Sequence, residues 1–99
     1  MNYEKLLEGK KALITAGADG IGYAIAKRFE KAGAFVFVCD INDEAVNKAN
    51  SVDDNIKATV CDLRQTQLIS SMVEEGLDHL KEVDIIVNNA GIAGETAAV

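Results

Sequence analysis

The chain has 99 residues, a formal charge of −6, 48% hydrophobic and 26% charged residues. A chain of this length buries one small core with little stability in reserve, and its acidic balance, without a cluster of Lys and Arg, argues against a nucleic acid or an anionic membrane as partner. The N-terminal stretch, with Glu4 and Glu8 on either side of Leu6 and Leu7, does not read as a signal peptide, and no apolar run approaches membrane-spanning length, so the expected location is the cytoplasm.

The first predicted element is a strand over 11–16, entered through a turn at Gly9 and marked by Ala12, Leu13 and Ile14. It leads into Thr15-Ala16-Gly17-Ala18-Asp19-Gly20-Ile21-Gly22. Glycines at 17, 20 and 22 let the backbone turn sharply and approach a ligand without Cβ obstruction. A helix over 20–32 follows, with Ile21, Ala24, Ile25, Phe29 and Ala32 at helical spacing and Gly33 as a left-handed stop. Its first turn presents unpaired N–H groups and a positive dipole end, so the segment reads as a phosphate-binding turn.

A second strand over 35–40 is nearly continuous in apolar residues, as expected where both sheet faces are covered. It ends at Asp40, about where a dinucleotide fold places its ribose-binding acid. Asn42 caps a weaker helix over 43–49 with acids in its first turn, and a third strand spans 56–61. Cys39 and Cys61 each precede an acid, in Val38-Cys39-Asp40 and Val60-Cys61-Asp62, so neighbouring parallel strands would set the thiols side by side. Without C-x-x-C spacing or a second ligand set they read as buried, reduced cysteines and not as a redox pair or a metal site.

Thr66 is expected to cap the longest helix, over 67–80, whose Leu68, Ile69, Met72, Val73, Leu77 and Leu80 form one apolar stripe assigned to the core. Gly76 marks close packing on the sheet, and His79 falls on the opposite face with Glu75, as a solvated histidine. The fourth strand covers 84–88. Strands alternating with helices require right-handed crossovers, which gives an α/β, Rossmann-like, doubly wound parallel sheet in the order 3-2-1-4. Its ligand crevice lies beyond the carboxyl ends of strands one and four.

The acids also bear on cofactor choice. A carboxylate at Asp40 can accept both ribose hydroxyls of NAD but repels the 2′-phosphate of NADP, and Ile41 supplies no cation in compensation. The expected cofactor is NAD in preference to NADP.

Three segments, Thr15 to Gly22, Asp62-Leu63 and Asn88-Asn89-Ala90-Gly91, resemble in order and spacing the cofactor-side motifs of the short-chain dehydrogenase/reductase family, over almost the whole chain. The family pattern is Thr-Gly-x-x-x-Gly-x-Gly, and here Ala16 stands where the first glycine is expected, with Gly17 after it. The resemblance implies that Ala16, Gly17, Gly20, Ile21 and Gly22 form the cofactor turn, with Asp19 where NADP-preferring relatives tend to carry a basic residue. It implies that Asp40 and Ile41 meet the ribose, that Asp62 accepts from the adenine amine while Leu63 borders the ring, and that Asn89, Ala90 and Gly91 border the adenosine ribose.

The family's catalytic Ser and Tyr-x-x-x-Lys lie beyond the Asn-Asn-Ala-Gly motif. Tyr23 and Lys27 have the spacing but fall at the start of the helix expected to hold pyrophosphate, so no catalytic residue is assigned. Residues 1–99 are therefore expected to be the N-terminal half of one NAD(P)-binding domain whose catalytic and substrate-binding half is absent. By resemblance the full-length protein oxidises or reduces a secondary alcohol, sugar or carbonyl compound, and these residues alone are catalytically silent. The competing reading is a short Rossmann module that senses a nucleotide or pairs with another chain. Ile85, Ile86 and Val87 carry no protecting charge or proline along the expected edge strand, which favours the first reading and predicts homo-oligomers through that edge.

Overall fold

In a computed structural model, residues 6–52 and 55–89 are described. The order of elements is β1 (Lys11–Thr15), α1 (Gly20–Lys31), β2 (Phe35–Asp40), α2 (Asp43–Val52), β3 (Ile56–Val60), α3 (Thr66–Leu80) and β4 (Ile85–Asn88). All the pairings are parallel and the sheet order is β3-β2-β1-β4, as the alternation of elements requires. Thr15 pairs with Cys39 on one side and Asn88 on the other, so β1, β2 and β4 end at one level.

Alternation along the strands divides the core. Ala12, Ile14, Val36, Val38, Ile56 and Ala58 face α1 and α2, where Ala26, Val46 and Ala49 close the layer. Phe37 and Cys39 point the other way, onto α3, with Met72 and Leu80. Among the described strands only β2 is buried along both faces, which explains its unbroken apolar run.

Several boundaries shift by a residue or more. Asn42 caps α2 through its side chain, which accepts from Ala45 N at 3.0 Å, but the helix continues to Val52. Thr66 is the first helical residue of α3, with Gln65 at the cap position and making no side-chain cap bond. The apolar stripe of α3 is only partly core. Met72, Gly76 and Leu80 are buried, whereas Leu68, Val73 and Leu77 stay partly exposed, and Ile86 of β4 is 67% exposed. Gly76 packs as expected, since a Cβ there would lie 3.2 Å from the Phe37 ring. His79 is exposed, yet its ring centroid is 6.1 Å from that of Phe37, so it flanks the buried ring and is not wholly turned to solvent.

The outer edge of β3 is covered by a side chain. Asn50 in α2 donates through Nδ2 to Ala58 O at 3.0 Å and accepts Ala58 N at Oδ1 at 2.7 Å, so one amide stands in for a neighbouring strand. Asn50→Ala should lower stability by about 1–3 kcal/mol, because it strips both partners from a part-buried backbone pair. Urea denaturation checks this; an unchanged midpoint would show that water replaces the amide without loss.

Candidate functional site

The chain leaves β1 at Thr15 and turns at once, with Ala16 at a φ of +53°. That is the left-handed conformation glycine adopts most readily, so alanine here holds a backbone shape that suits the glycine of the family pattern. The turn is tied on three sides. Gly17 N donates to Cys39 O at 3.1 Å, Ala18 N to Asp40 Oδ2 at 3.1 Å, and Asn89 Nδ2 to Ala16 O at 3.3 Å. Beneath it, Thr15 Oγ1 donates to Asn88 Oδ1 at 3.2 Å.

The glycines differ in what they permit. A Cβ at Gly17 would lie 2.7 Å from the Val38 side chain. One at Gly22 would collide with the Ala16 carbonyl and lie 2.9 Å from Asn89 Nδ2. Gly20, at a φ of +58°, has nothing within 4 Å of its Cβ position, so the front of the turn is open while its back is packed. Asp19 caps α1, its Oδ1 accepting Gly20 N at 2.9 Å, which sets a carboxylate at the helix end where an anion would bind. Ile21 is 74% exposed in the first turn.

Asp40 is nearly buried at the end of β2. Each carboxylate oxygen accepts one backbone hydrogen bond, Oδ2 from Ala18 N and Oδ1 from Asn42 N at 3.0 Å. A carboxylate oxygen has about two acceptor positions, so both oxygens keep capacity for a hydroxyl. Ile41 beside it is exposed. Asp62, just beyond β3, repeats this local geometry: its Oδ1 accepts Arg64 N at 3.0 Å, as Asp40 Oδ1 accepts Asn42 N. Arg64 adds Nε to Oδ1 at 3.0 Å and Nη2 to Oδ2 at 2.9 Å, and hydrogen bonds from Arg64 hold the Asp62 carboxyl down at about 2. Leu63 is half-buried against the α3 side of the core.

The structure thus gathers Ala16, Gly17, Asp19, Gly20, Ile21, Gly22, Asp40, Ile41 and Asn89 around the carboxyl ends of β1, β2 and β4, with Asp62 and Leu63 after the neighbouring β3. Ala90 and Gly91 lie outside the described residues. The bonds from Ala18 and Asn42 to Asp40, and the part of Arg64, were missed in the sequence; an acid two residues before a backbone donor is the signal that could have found two of them.

Cys39 and Cys61 belong to one buried cluster, and Cys61 Sγ lies 3.8 Å from Leu68 O. Burial, and then the neighbouring Cys61, push the Cys39 thiol up to about 11, and burial raises Cys61 as well. Both stay protonated at neutral pH, so neither is poised as a nucleophile. Because the folded value of Cys39 lies above its ordinary 9.0, its contribution to stability is present below that pH and is lost as pH rises toward 11. Tyr23, part-buried against the α1 side of the core, is a packing residue.

The short chain dehydrogenase family profile matches residues 10–99. The chain belongs to that family. It is 43% identical over 95 residues to 7alpha-hydroxysteroid dehydrogenase of Escherichia coli, covering 89% of this chain and 36% of that one. It is 37% identical over 94 residues to the 3-oxoacyl-(acyl-carrier-protein) reductase of Rickettsia bellii, covering 94% of this chain and 37% of the relative. Among solved structures, the 3-ketoacyl-(acyl-carrier-protein) reductase of Brucella melitensis, complexed with NADH, superposes with a TM-score of 0.81 at 40% identity. That match covers 87% of this chain and 36% of the other. The chain therefore spans little more than a third of the length of these relatives.

Proposed function

We propose that the chain is the N-terminal, NAD-binding half of one Rossmann domain in an oxidoreductase that acts on a secondary alcohol, sugar or carbonyl compound. The observation that carries this reading is Asp40, whose carboxylate is fixed to the glycine turn through Ala18 N while both oxygens keep acceptor capacity. In this reading the pyrophosphate lies along the open front of the turn at Gly20, and the two ribose hydroxyls meet Asp40. Asp62 accepts from the adenine amine, Leu63 borders the base, Ile41 stands beside Asp40 at the ribose, and Asn89, Ala90 and Gly91 border the adenosine ribose. A 2′-phosphate would face Asp40 with Asp19 nearby in the same turn and apolar Ile41 beside it, so NAD is preferred over NADP.

The reaction itself is assigned to the full-length protein. Hydride transfer needs a base at the carbinol and a pocket that holds the carbon against the nicotinamide, and the one Tyr-x-x-x-Lys spacing here belongs to a packing tyrosine. The 99 residues alone should bind NAD and form no NADH from a panel of alcohols. Calorimetry with an absorbance assay tests both halves: NAD binding without turnover supports the reading, and turnover by the purified chain contradicts it. In the isolated 99 residues the exposed Ile86 on β4 is expected to drive self-association, and the proposed location of the protein is the cytoplasm. Ile86→Lys should shift the protein toward monomer in light scattering.

A further inference from the structure

The Asp62 carboxylate is unusually well supplied with donors before any base arrives. Arg64 gives it a backbone N–H and Nε at Oδ1 and Nη2 at Oδ2. A carboxylate offers about four acceptor positions, so one remains, on Oδ2, and an adenine amine that binds there shares that oxygen with the guanidinium. The backbone bond from Arg64 belongs to a fixed turn that Gln65 N closes on Asp62 O at 2.9 Å. The guanidinium is the exchangeable partner: it sits on a side chain 78% exposed, and an exposed ion pair is held only weakly.

We infer that Arg64 is a specificity-determining residue of the base pocket, holding both oxygens of the Asp62 carboxylate when no base is bound and supplying a donor when the base presents an acceptor. This rests on the assignment of Asp62 to adenine. With the guanidinium in place, an amine shares Oδ2 with a cation that draws on the same oxygen, whereas a carbonyl at the same position finds an N–H beside it. The wild-type pocket is thereby tolerant of the exchange of amine for carbonyl. Without the guanidinium, the amine meets a free acceptor and the carbonyl meets a bare carboxylate.

The test is calorimetric titration of NAD and of nicotinamide hypoxanthine dinucleotide, in which a carbonyl replaces the adenine amine, into the protein and its Arg64→Met and Asp62→Asn variants. Both ligands carry the same pyrophosphate, so the ratio of their dissociation constants cancels the change in net charge. Arg64→Met should raise the preference for NAD about fivefold, and Asp62→Asn, which keeps one acceptor and gains a donor, should lower it below wild type. A ratio unchanged or reduced in Arg64→Met, while Asp62→Asn still lowers it, overturns the role of Arg64 alone. A ratio unmoved by Asp62→Asn overturns the placement of the base at Asp62, and the role of Arg64 with it.

Discussion

Gly22→Ala should abolish dinucleotide binding and cost the fold about 3 kcal/mol or more, the largest single-residue effect expected in the chain. The new methyl would overlap the Ala16 carbonyl oxygen, lie 2.8 Å from the Ala16 carbonyl carbon and crowd Asn89 Nδ2. The first two are backbone atoms, and Asn89 Nδ2 is held by its bond to that carbonyl. The Ala16 carbonyl is fixed by the bond from Asn89, and the two residues after it by Cys39 O and Asp40. The helix can accept a methyl at this position only by moving away from the turn, which opens the cradle. Thermal unfolding with an NAD titration checks this; a Gly22→Ala variant that melts and binds like wild type would show that α1 is not seated as described. The same geometry gives a converse expectation at Ala16, where replacing a left-handed alanine by glycine should stabilise the protein by about 0.5–1 kcal/mol.

Asp40→Ala should weaken NAD by at least about tenfold and narrow the gap between NAD and NADP. Two losses combine: the hydroxyl acceptor goes, and so does the tether on Ala18 N that holds the turn. Asp40→Asn separates them, since it removes the charge that repels a 2′-phosphate but keeps one oxygen for a backbone N–H. It should therefore leave NADP bound more tightly than Asp40→Ala does. Asp19→Ser makes the comparison at the helix end, keeping a capping oxygen on Gly20 N while removing the carboxylate. It should raise affinity for both dinucleotides, and for NADP more. The competition calorimetry that reads these ratios would remove Asp40 from the ribose site if Asp40→Ala left both ligands unaffected.

What could be read in the sequence was set by short-range chemistry. The apolar runs, Gly33 at a φ of +101° and the Asn42 cap are local signals, and alternation of strand and helix leaves one natural sheet order. Two features were misjudged because periodicity alone carries no information on what covers a face. The stripe on α3 has helical spacing throughout, yet the sheet buries only Met72, Gly76 and Leu80 fully, since α3 lies over β2 and β1. His79 has the spacing of a solvated residue but sits beside Phe37. At the site, residue types identified Asp40 and Asp62, whereas the donors bound to them come from backbone amides and from a flexible arginine. Amides carry no residue signature, and an arginine two positions from an acid is common on any surface.

The claim that the glycine turn, Asp40 and Asp62 form one nucleotide site is tested most directly by following the backbone amide resonances of the 99-residue chain during titration with NAD. A single site requires saturable shifts at Gly17, Ala18, Gly20, Ile21, Ile41, Asn42, Leu63 and Arg64, all with one dissociation constant, and little change along α2 or the middle of α3. Shifts confined to other surfaces, or different constants for the turn and for Leu63 and Arg64, would contradict it.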